Sequence, residues 1–220
     1  MQHPLLTIHR LIMEMYRKAG KVKRLQKRIL ILCEGETERI YLDSLKNTLN
    51  RDIQRHIEIN IKKAKCSEPA NIIKEAMTKR KTAKQELQPY DAIWLVFDDD
   101  NRSSIESLFA KAQKENFRIA YNSISIELWF ILHFEKTAKA FNSAAEAEAH
   151  LKKYCKQYSK TNPAIFETLK PFYQNQALSN AAWLRSQKNI KTPDEAWKAK
   201  SITTMDLLTE TLLKWNNIEK

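Results

Sequence analysis

Three acidic residues follow two short apolar runs that lie far apart in the sequence. Asp98 and Asp100 come directly after the run 92–97, and Glu34 follows the run 29–33. Because side chains alternate along an extended chain, Asp98 and Asp100 share one side of it. Carboxylate oxygens are the ligands that hard cations such as Mg²⁺ or Mn²⁺ prefer, with the remaining positions filled by water or phosphate. These residues therefore predict a divalent-metal site for phosphoryl chemistry.

Two simpler interpretations compete with a metal site. A short acidic stretch after a strand is also typical of a solvent-exposed turn. Glu36 and Glu38 stand at the start of a helical pattern, where acidic side chains favour the positive end of the helix dipole. We accept that explanation for Glu38 and Glu36. Glu34 precedes the helix and needs another reason, and Gly35 is expected to let the backbone turn tightly there.

The runs that end in acid belong to a regular alternation of strand and helix. Right-handed crossovers between such strands produce a parallel sheet with helices on both faces. The carboxyl ends of neighbouring parallel strands share one crevice, where ligands bind. We expect an α/β fold with about four strands, followed from residue 136 by a helical carboxyl-terminal extension. The predicted strands are 29–33, 57–61, 92–97 and 117–121, with 57–61 near the sheet edge.

The chain is strongly basic. It carries 38 Lys and Arg against 26 Asp and Glu, a formal net charge of +12, which favours a polyanionic partner such as nucleic acid. The segment 17–28 holds seven basic residues and no acidic one, although a solvated arm explains such a run equally well. The candidate nucleic-acid contacts are Arg17, Lys18, Lys21, Lys23, Arg24, Lys27, Arg28 and Lys65.

Cysteine usage and hydropathy indicate the compartment. The three cysteines, Cys33, Cys66 and Cys155, are widely separated and show neither a disulfide framework nor zinc-ligand spacing. Residues 5–15 lack the features of a secretory signal, and nothing approaches the length of a membrane span. We therefore expect a cytoplasmic protein without a membrane partner. The apolar spacing within 5–15 predicts an amphipathic helix that packs on the body or on another subunit of a homo-oligomer.

Three segments, taken in order, resemble a known family. They are CEGETE at 33–38, FDDD at 97–100 and SISIELWFILHFE at 123–135, and together they are similar to the RloB-like family of bacterial defence proteins. A glutamate after the first strand with a later D-x-D also looks like a Toprim domain, the metal-binding unit of topoisomerases, primases and OLD-type nucleases. The resemblance covers most of the chain from about residue 28.

The resemblance implies both a fold and a division of the chain. The fold would be a Toprim-like sheet, with an amino-terminal helix and basic arm at 1–28, a catalytic domain at 29–135 and a helical extension at 136–220. Because the Glu-Leu-Trp of the third segment is part of the resemblance, Glu127 is placed at the edge of the site as a further metal ligand. A helix-cap role is the simpler alternative for Glu127, and His133 reads as a packing residue.

The leading hypothesis is a Mg²⁺- or Mn²⁺-dependent nuclease that hydrolyses phosphodiesters of RNA or DNA. Glu34, Asp98 and Asp100 would be catalytic, and Glu34 would act as a metal ligand or a proton shuttle. The resemblance implies antiviral defence by abortive infection, beside an ATPase partner encoded nearby.

Two alternatives remain for the same acids. A HAD-type phosphohydrolase would use Asp98 as nucleophile, but Asn101 and Arg102 depart from its motif. A non-catalytic nucleic-acid binder would share the basic composition. Aromatic residues among lysines could stack on bases, although core packing is the more ordinary explanation for them. They are Tyr154, Tyr158, Phe172 and Tyr173.

Overall fold

The computed structural model of the protein describes residues 26–99, 104–172 and 176–215. Several predictions fall outside these ranges. They concern the amino-terminal helix at 5–15, the metal ligand Asp100, the stacking residue Tyr173 and the basic residues Arg17, Lys18, Lys21, Lys23 and Arg24.

The sheet consists of four parallel strands in the order β2-β1-β3-β4. Each strand is a short run rich in β-branched or aromatic side chains, as a sheet covered on both faces requires. The strands are β1 Lys27–Cys33, β2 Ile57–Lys63, β3 Ala92–Asp98 and β4 Arg118–Asn122. The predicted fold class is confirmed: an α/β fold with a four-stranded, all-parallel sheet flanked by helices, consistent with a Toprim-like fold. The strand predicted at 57–61 lies at the sheet edge, as expected.

Helices connect the strands and continue after the sheet. The α-helices are α1 Glu36–Asn47, α2 Arg51–His56, α3 Pro69–Gln85, α4 Ile105–Lys114, α5 Glu127–Ile131, α6 Ala144–Leu151, α7 Ala164–Leu169, α8 Leu178–Gln187 and α9 Met205–Trp215, with a 3-10 helix at Pro193–Lys198. The alanine-rich segment 144–158 predicts a single helix, but the helix there ends at Leu151. The segment 192–195 predicts a capping box, but Thr192 makes no side-chain cap for the helix that follows it.

Two hydrophobic clusters cover the two faces of the sheet. Alternation along β1 sends Ile29 and Ile31 to one face and Leu30 and Leu32 to the other. The first face packs against α1 and α5 to α9, and the second packs against α3 and α4. The carboxyl-terminal helices thus share one apolar cluster with the sheet. The division of the chain at residue 135 stays a prediction.

The strand order creates a switch point between β1 and β3. From β1 the chain crosses to β2 on one side, and it later returns to place β3 and β4 on the other side. Connections that leave two adjacent strands in opposite directions open a crevice at their carboxyl ends, which is the usual ligand site of open α/β sheets. Glu34 and Asp98 stand at those two ends.

A carboxyl-terminal segment covers the outer edge of β4. Ser123 N donates to Ile202 O at 2.9 Å, and Thr204 N donates to Tyr121 O at 2.8 Å. The helical spacing of Ile202, Met205, Leu208, Leu212 and Trp215 predicts a last helix that includes Ile202. Ile202 lies instead in this extended segment, and α9 begins at Met205. The segment supplies hydrogen-bond partners that an edge strand would otherwise lack.

A helix that crosses a bilayer must be both long and apolar. Within the described ranges, no helix combines the length and the apolar character needed to cross a bilayer.

Candidate active site

Glu34 and Asp98 meet at the carboxyl ends of adjacent strands. Asp98 is the last residue of β3, and Glu34 follows β1 directly. Glu34 N donates to Val96 O at 2.8 Å, which continues the pairing of β1 with β3 by one residue. The Asp98 backbone amide in turn donates to Glu34 Oε2 at 3.1 Å. Both residues are half-buried, so their carboxylates lie at the rim of the crevice.

Asn122 holds the Asp98 carboxylate from the neighbouring strand. The two residues are in register across β3 and β4, and Asn122 Nδ2 donates to Asp98 Oδ1 at 3.0 Å. Asn122 Oδ1 accepts from Thr203 Oγ1 at 2.7 Å, and Thr203 Oγ1 accepts from Met205 N at 3.1 Å. All three of these supporting residues are buried, so the carboxyl-terminal segment orients the candidate catalytic carboxylate.

Asp99 points away from Asp98, as the alternation of side chains predicts. Its Oδ2 accepts from the Tyr121 hydroxyl at 2.8 Å. Burial, followed by that hydrogen bond and the Asp99 charge, raises the pKa of Tyr121. Asp99 therefore supports the β4 side of the sheet and is not a member of the candidate site.

Glu38 is a buried acid beside the same crevice. It is 5% exposed, and its Oε2 has no hydrogen-bond partner in the described part of the chain. Burial raises the pKa of Glu38 to about 7, opposed by its own backbone amide and helped by the charges of Glu34 and Glu127. Glu38 lies in the first turn of α1, as expected for an acid that favours the helix dipole, but its burial with an unpaired carboxylate oxygen in the described part of the chain was not predicted.

Gly35 gives the Glu38 carboxylate its space. A Cβ at position 35 would overlap Glu38 Oε2, so a side chain there would displace the Glu38 carboxylate. The backbone of Gly35 is extended, with φ of −109°, which any residue can adopt. The backbone conformation therefore does not require glycine, and the missing side chain lets the Glu38 carboxylate occupy its present position.

Glu127 is the first residue of α5 and is 1% exposed. Its Oε1 accepts from the Tyr158 hydroxyl at 2.8 Å. Burial, followed by the Glu127 charge and this hydrogen bond, raises the pKa of Tyr158. Glu127 thus lies in the interior side of the site rather than at an exposed edge. Tyr158 is a buried partner of Glu127, which excludes its ring as an open stacking surface.

The neighbouring carboxylates raise the affinity of Asp98 for protons or cations. The pKa of Asp98 lies well above its usual range because of burial, then the charge of Glu38, then the charges of Glu34 and Glu127, with the Asn122 hydrogen bond opposing them. Like charges held together in a poorly solvated place favour a bound proton or a bound cation. The arrangement is therefore suited to either.

The donor set fits a hard divalent cation in its chemistry. All four donors are carboxylates, and Glu38 Oε2 is a buried acceptor that lacks a partner within the described ranges. Across those same ranges, no three His, Cys, Asp or Glu side chains are placed so that together they could hold a metal ion. Asp100, the remaining predicted ligand, lies outside them.

The described members of the predicted nucleic-acid surface lie at opposite ends of the sheet. Lys65 is exposed and follows the carboxyl end of β2, on the same edge as Glu34. Lys27 and Arg28 begin β1, roughly 20 Å away along a seven-residue strand. The Arg28 side chain pairs with Glu58 and lies 4.9 Å from the Tyr90 ring centre. Its guanidinium is thus engaged within the protein.

His133 is a buried packing residue, as its surroundings in the sequence suggested. Its Nδ1 lies 2.9 Å from Trp129 O, and the ring packs edge-on against Trp129. Burial lowers the pKa of His133 to about 4. The imidazole is therefore neutral at physiological pH.

Three contributors to the site were not identified from the sequence. Glu38 shares the helical spacing of Tyr41 and Leu42, so its position on the buried stripe of α1 was a usable signal. Asn122 ends β4 in register with Asp98. A polar residue at the end of a predicted strand is the signal that could have identified it as part of the site. Tyr158 reaches Glu127 only through the folding of distant helices, and no local pattern predicts that contact.

Comparison with known proteins gives one family match. The RloB-like protein family matches residues 29–212, from β1 into α9. Curated proteins and solved structures give no match. Since the matched region includes all of the sheet except the first two residues of β1, the acidic crevice and nearly all of the carboxyl-terminal helices, this chain belongs to the RloB-like protein family.

Proposed function

We propose that this protein is a metal-dependent nuclease whose active site is the crevice between β1 and β3. The supporting observation is the hydrogen bond from the Asp98 amide to Glu34 Oε2, which joins acids 64 positions apart at the switch point of the sheet. A carboxylate pair in that place is suited to phosphoryl chemistry on a polyanionic substrate.

The chain's own groups divide the work in this proposal. Glu34 and Asp98 would hold a Mg²⁺ or Mn²⁺ ion, with Asp100, which lies outside the described residues, as the third predicted ligand, and Asn122 fixes the orientation of Asp98. Glu127 contributes negative charge from the interior. A bound divalent cation there would supply Lewis-acid activation of water and neutralise charge on the phosphoryl oxygens.

Glu38 is a second candidate for proton transfer beside Glu34. Its pKa of about 7 leaves it partly protonated near neutral pH, so it is able both to accept and to donate a proton there. Its buried, unpaired Oε2 in the described part of the chain also makes it available as an additional cation ligand. We assign it one of these two roles beside Glu34.

Basic side chains border the crevice on the β2 side. Cys33 and Lys63 are in register, and the exposed residues Lys62, Lys63 and Lys65 follow one another at the strand end nearest Glu34. With a net charge of +12 on the chain, these lysines are suited to the phosphates of RNA or DNA on either side of the cleaved bond.

The cellular role we propose is antiviral defence by abortive infection, in the bacterial cytoplasm and beside an ATPase that restrains or triggers the nuclease. It rests on the resemblance of the three sequence segments to RloB-like defence proteins. A measurable consequence is that expression of the active protein together with its trigger slows growth, whereas Asp98→Asn does not.

The test is cleavage of labelled RNA and DNA by the purified protein with Mn²⁺, compared with Asp98→Asn. The matched control is Asp91→Asn, the same substitution at the opposite end of β3, where Asp91 Oδ2 accepts from Arg28 N at 2.7 Å. We expect Asp98→Asn to lose cleavage and Asp91→Asn to keep it.

Other outcomes identify the alternatives. Equal cleavage by the Asp98 variant removes this site as the catalyst. Salt-sensitive binding that ignores both Mn²⁺ and Asp98 indicates a non-catalytic binder. A trapped phospho-aspartate at position 98 indicates a phosphohydrolase.

A further inference from the structure

A pocket of about 420 Å³ with a mixed polar and apolar lining lies between the segment that follows α6 and the body of α7. That volume falls within the usual range for small-ligand sites. The pocket is lined by Lys153, Tyr154, Lys156, Tyr158, Asn162 and Thr168, among others. The pocket thus combines two cations, an aromatic ring and uncharged polar groups. Groups of these kinds recognise a phosphorylated base.

Tyr154 presents an open aromatic ring at this pocket. It is 41% exposed, whereas most aromatic residues of the described chain are buried. Its ring is stacked on Phe134, with 5.1 Å between ring centres and 4° between planes. A planar group added to the outer side of Tyr154 would extend this existing stack.

The position of the Tyr154 ring is fixed by its hydroxyl. That hydroxyl donates to Glu135, and His150 Nε2 lies 2.8 Å from the other carboxylate oxygen of Glu135. Burial raises the pKa of Glu135, but these two contacts and nearby positive charge outweigh it, so the pKa lies below its ordinary value. Glu135 therefore remains a charged acceptor, and the ring is pre-organised before any ligand arrives.

Tyr158 connects the pocket to the acidic crevice. Its side chain forms part of the pocket wall, and its hydroxyl bonds to Glu127 inside the candidate site. The pocket and the carboxylates therefore lie on two sides of one residue.

We propose that this pocket binds an unpaired nucleotide of a single-stranded nucleic acid, with the base stacked on Tyr154 and phosphates at Lys153 and Lys156. The inference rests on the proposed function, because it adds a substrate subsite beside the same acids. Stacking on an open ring needs a base that is free of its complement, so duplexes are excluded from the pocket.

The test is the affinity of the full chain for fluorescein-labelled 20-mers of single-stranded RNA, single-stranded DNA and duplex, measured by anisotropy in EDTA. Tyr154→Ala should weaken single-strand binding by about tenfold, while Tyr154→Phe, which keeps the ring and its stack on Phe134 but loses the hydroxyl, should weaken it much less. Lys153→Ala with Lys156→Ala should reduce the slope of log affinity against log salt by about 1.4. Lys81→Ala with Lys84→Ala, two exposed lysines on α3, is the matched control.

Thermal melts establish that each variant is folded. Unchanged affinity in Tyr154→Ala, or equal loss for duplex and single strand, overturns the pocket, and the RNA and DNA arms show which strand is preferred. EDTA prevents metal-dependent cleavage, so this experiment measures binding alone. The nucleotide pocket and the nuclease activity are therefore tested independently of each other. A protein that binds through Tyr154 but cleaves nothing keeps the pocket and removes the nuclease, whereas a nuclease indifferent to Tyr154 removes only the pocket.

Discussion

The backbone amide of Asp98 donates a hydrogen bond to the carboxylate of Glu34 at 3.1 Å. The two residues end adjacent parallel strands, β3 and β1, at the switch point of the sheet. Around them, buried Glu38 and Glu127 add negative charge and Asn122 adds a donor. The fold thus concentrates acids where an open α/β sheet binds its ligand.

Replacing Glu38 should change how stability depends on pH in EDTA. The pKa of Glu38 is about 7 in the folded chain against 4.5 for the ordinary group, so the folded state binds more protons between those values. Stability from this group is therefore complete below pH 4.5 and is lost as pH rises through about 7. Above pH 8, Glu38→Gln should be more stable than the wild type by about 1 to 3 kcal/mol.

Urea denaturation from pH 5 to 8.5 measures this difference, with the exposed residue Glu106 changed to Gln as the control. The wild type and the Glu38 variant should converge at low pH. Parallel curves across the range would contradict the assignment of a buried, protonated Glu38.

Removing the Thr203 hydroxyl should impair the site from a distance. Thr203→Val leaves Asn122 Oδ1 without its 2.7 Å donor, so the amide that holds Asp98 is free to rotate. We expect a roughly tenfold lower kcat with KM little changed, because misplacement of a reacting group is costly. Steady-state cleavage kinetics measure it, and Thr203→Ser, which keeps the hydroxyl, should restore the rate. Equal rates for Val and Ser would show that this chain of hydrogen bonds does not position Asp98.

Tyr158→Phe should destabilise the fold through Glu127. It removes the donor at 2.8 Å from a carboxylate that is 1% exposed, and a buried acceptor left without this partner costs about 1 to 3 kcal/mol. The matched control is Tyr154→Phe, which removes a similar bond to Glu135 at an exposed ring. Chemical denaturation compares the two. A loss in Tyr154→Phe as large as that in Tyr158→Phe would count against a special role for burial at Glu127.

Arg185 and Asp206 form a buried ion pair that joins α8 to α9. Two guanidinium nitrogens lie 2.5 and 2.7 Å from the two carboxylate oxygens, and the side chains are 14% and 5% exposed. Arg185→Ala leaves the Asp206 charge unpaired, at a cost of about 3 to 5 kcal/mol. The double change Arg185→Met with Asp206→Leu should recover most of that loss in urea denaturation. No recovery would mean that Arg185 contributes by packing rather than by charge.

The sheet and its acidic edge were predictable from local sequence. The apolar runs before Glu34 and Asp98 identify central strands, and the geometry of parallel sheets places their ends together. The sequence did not predict the burial of Glu38, because an acid in the first turn of a helix is already explained by its interaction with the helix dipole. Glu38 and Tyr41 lie on the same face of α1. That spacing separates a buried carboxylate from an exposed one only when the packing around the helix is known.

Contacts between distant segments escaped prediction for a different reason. Asn122 meets Thr203 across 81 positions, and Tyr158 meets Glu127 across 31. Neither pair leaves a periodic signal, because each depends on how the carboxyl-terminal helices return to the sheet. The helical spacing of Ile202 to Met205 favoured a helix at Ile202, whereas the helix begins at Met205. Two residues three apart can match a helical pattern by coincidence.

Anomalous diffraction from crystals soaked in Mn²⁺ tests the central claim most directly. The account predicts one strong manganese peak in the crevice between β1 and β3, bonded to carboxylate oxygens of both Glu34 and Asp98 and absent from Asp98→Asn crystals. Manganese that binds only elsewhere on the protein, or that remains in the crevice of the Asp98 variant, would contradict it.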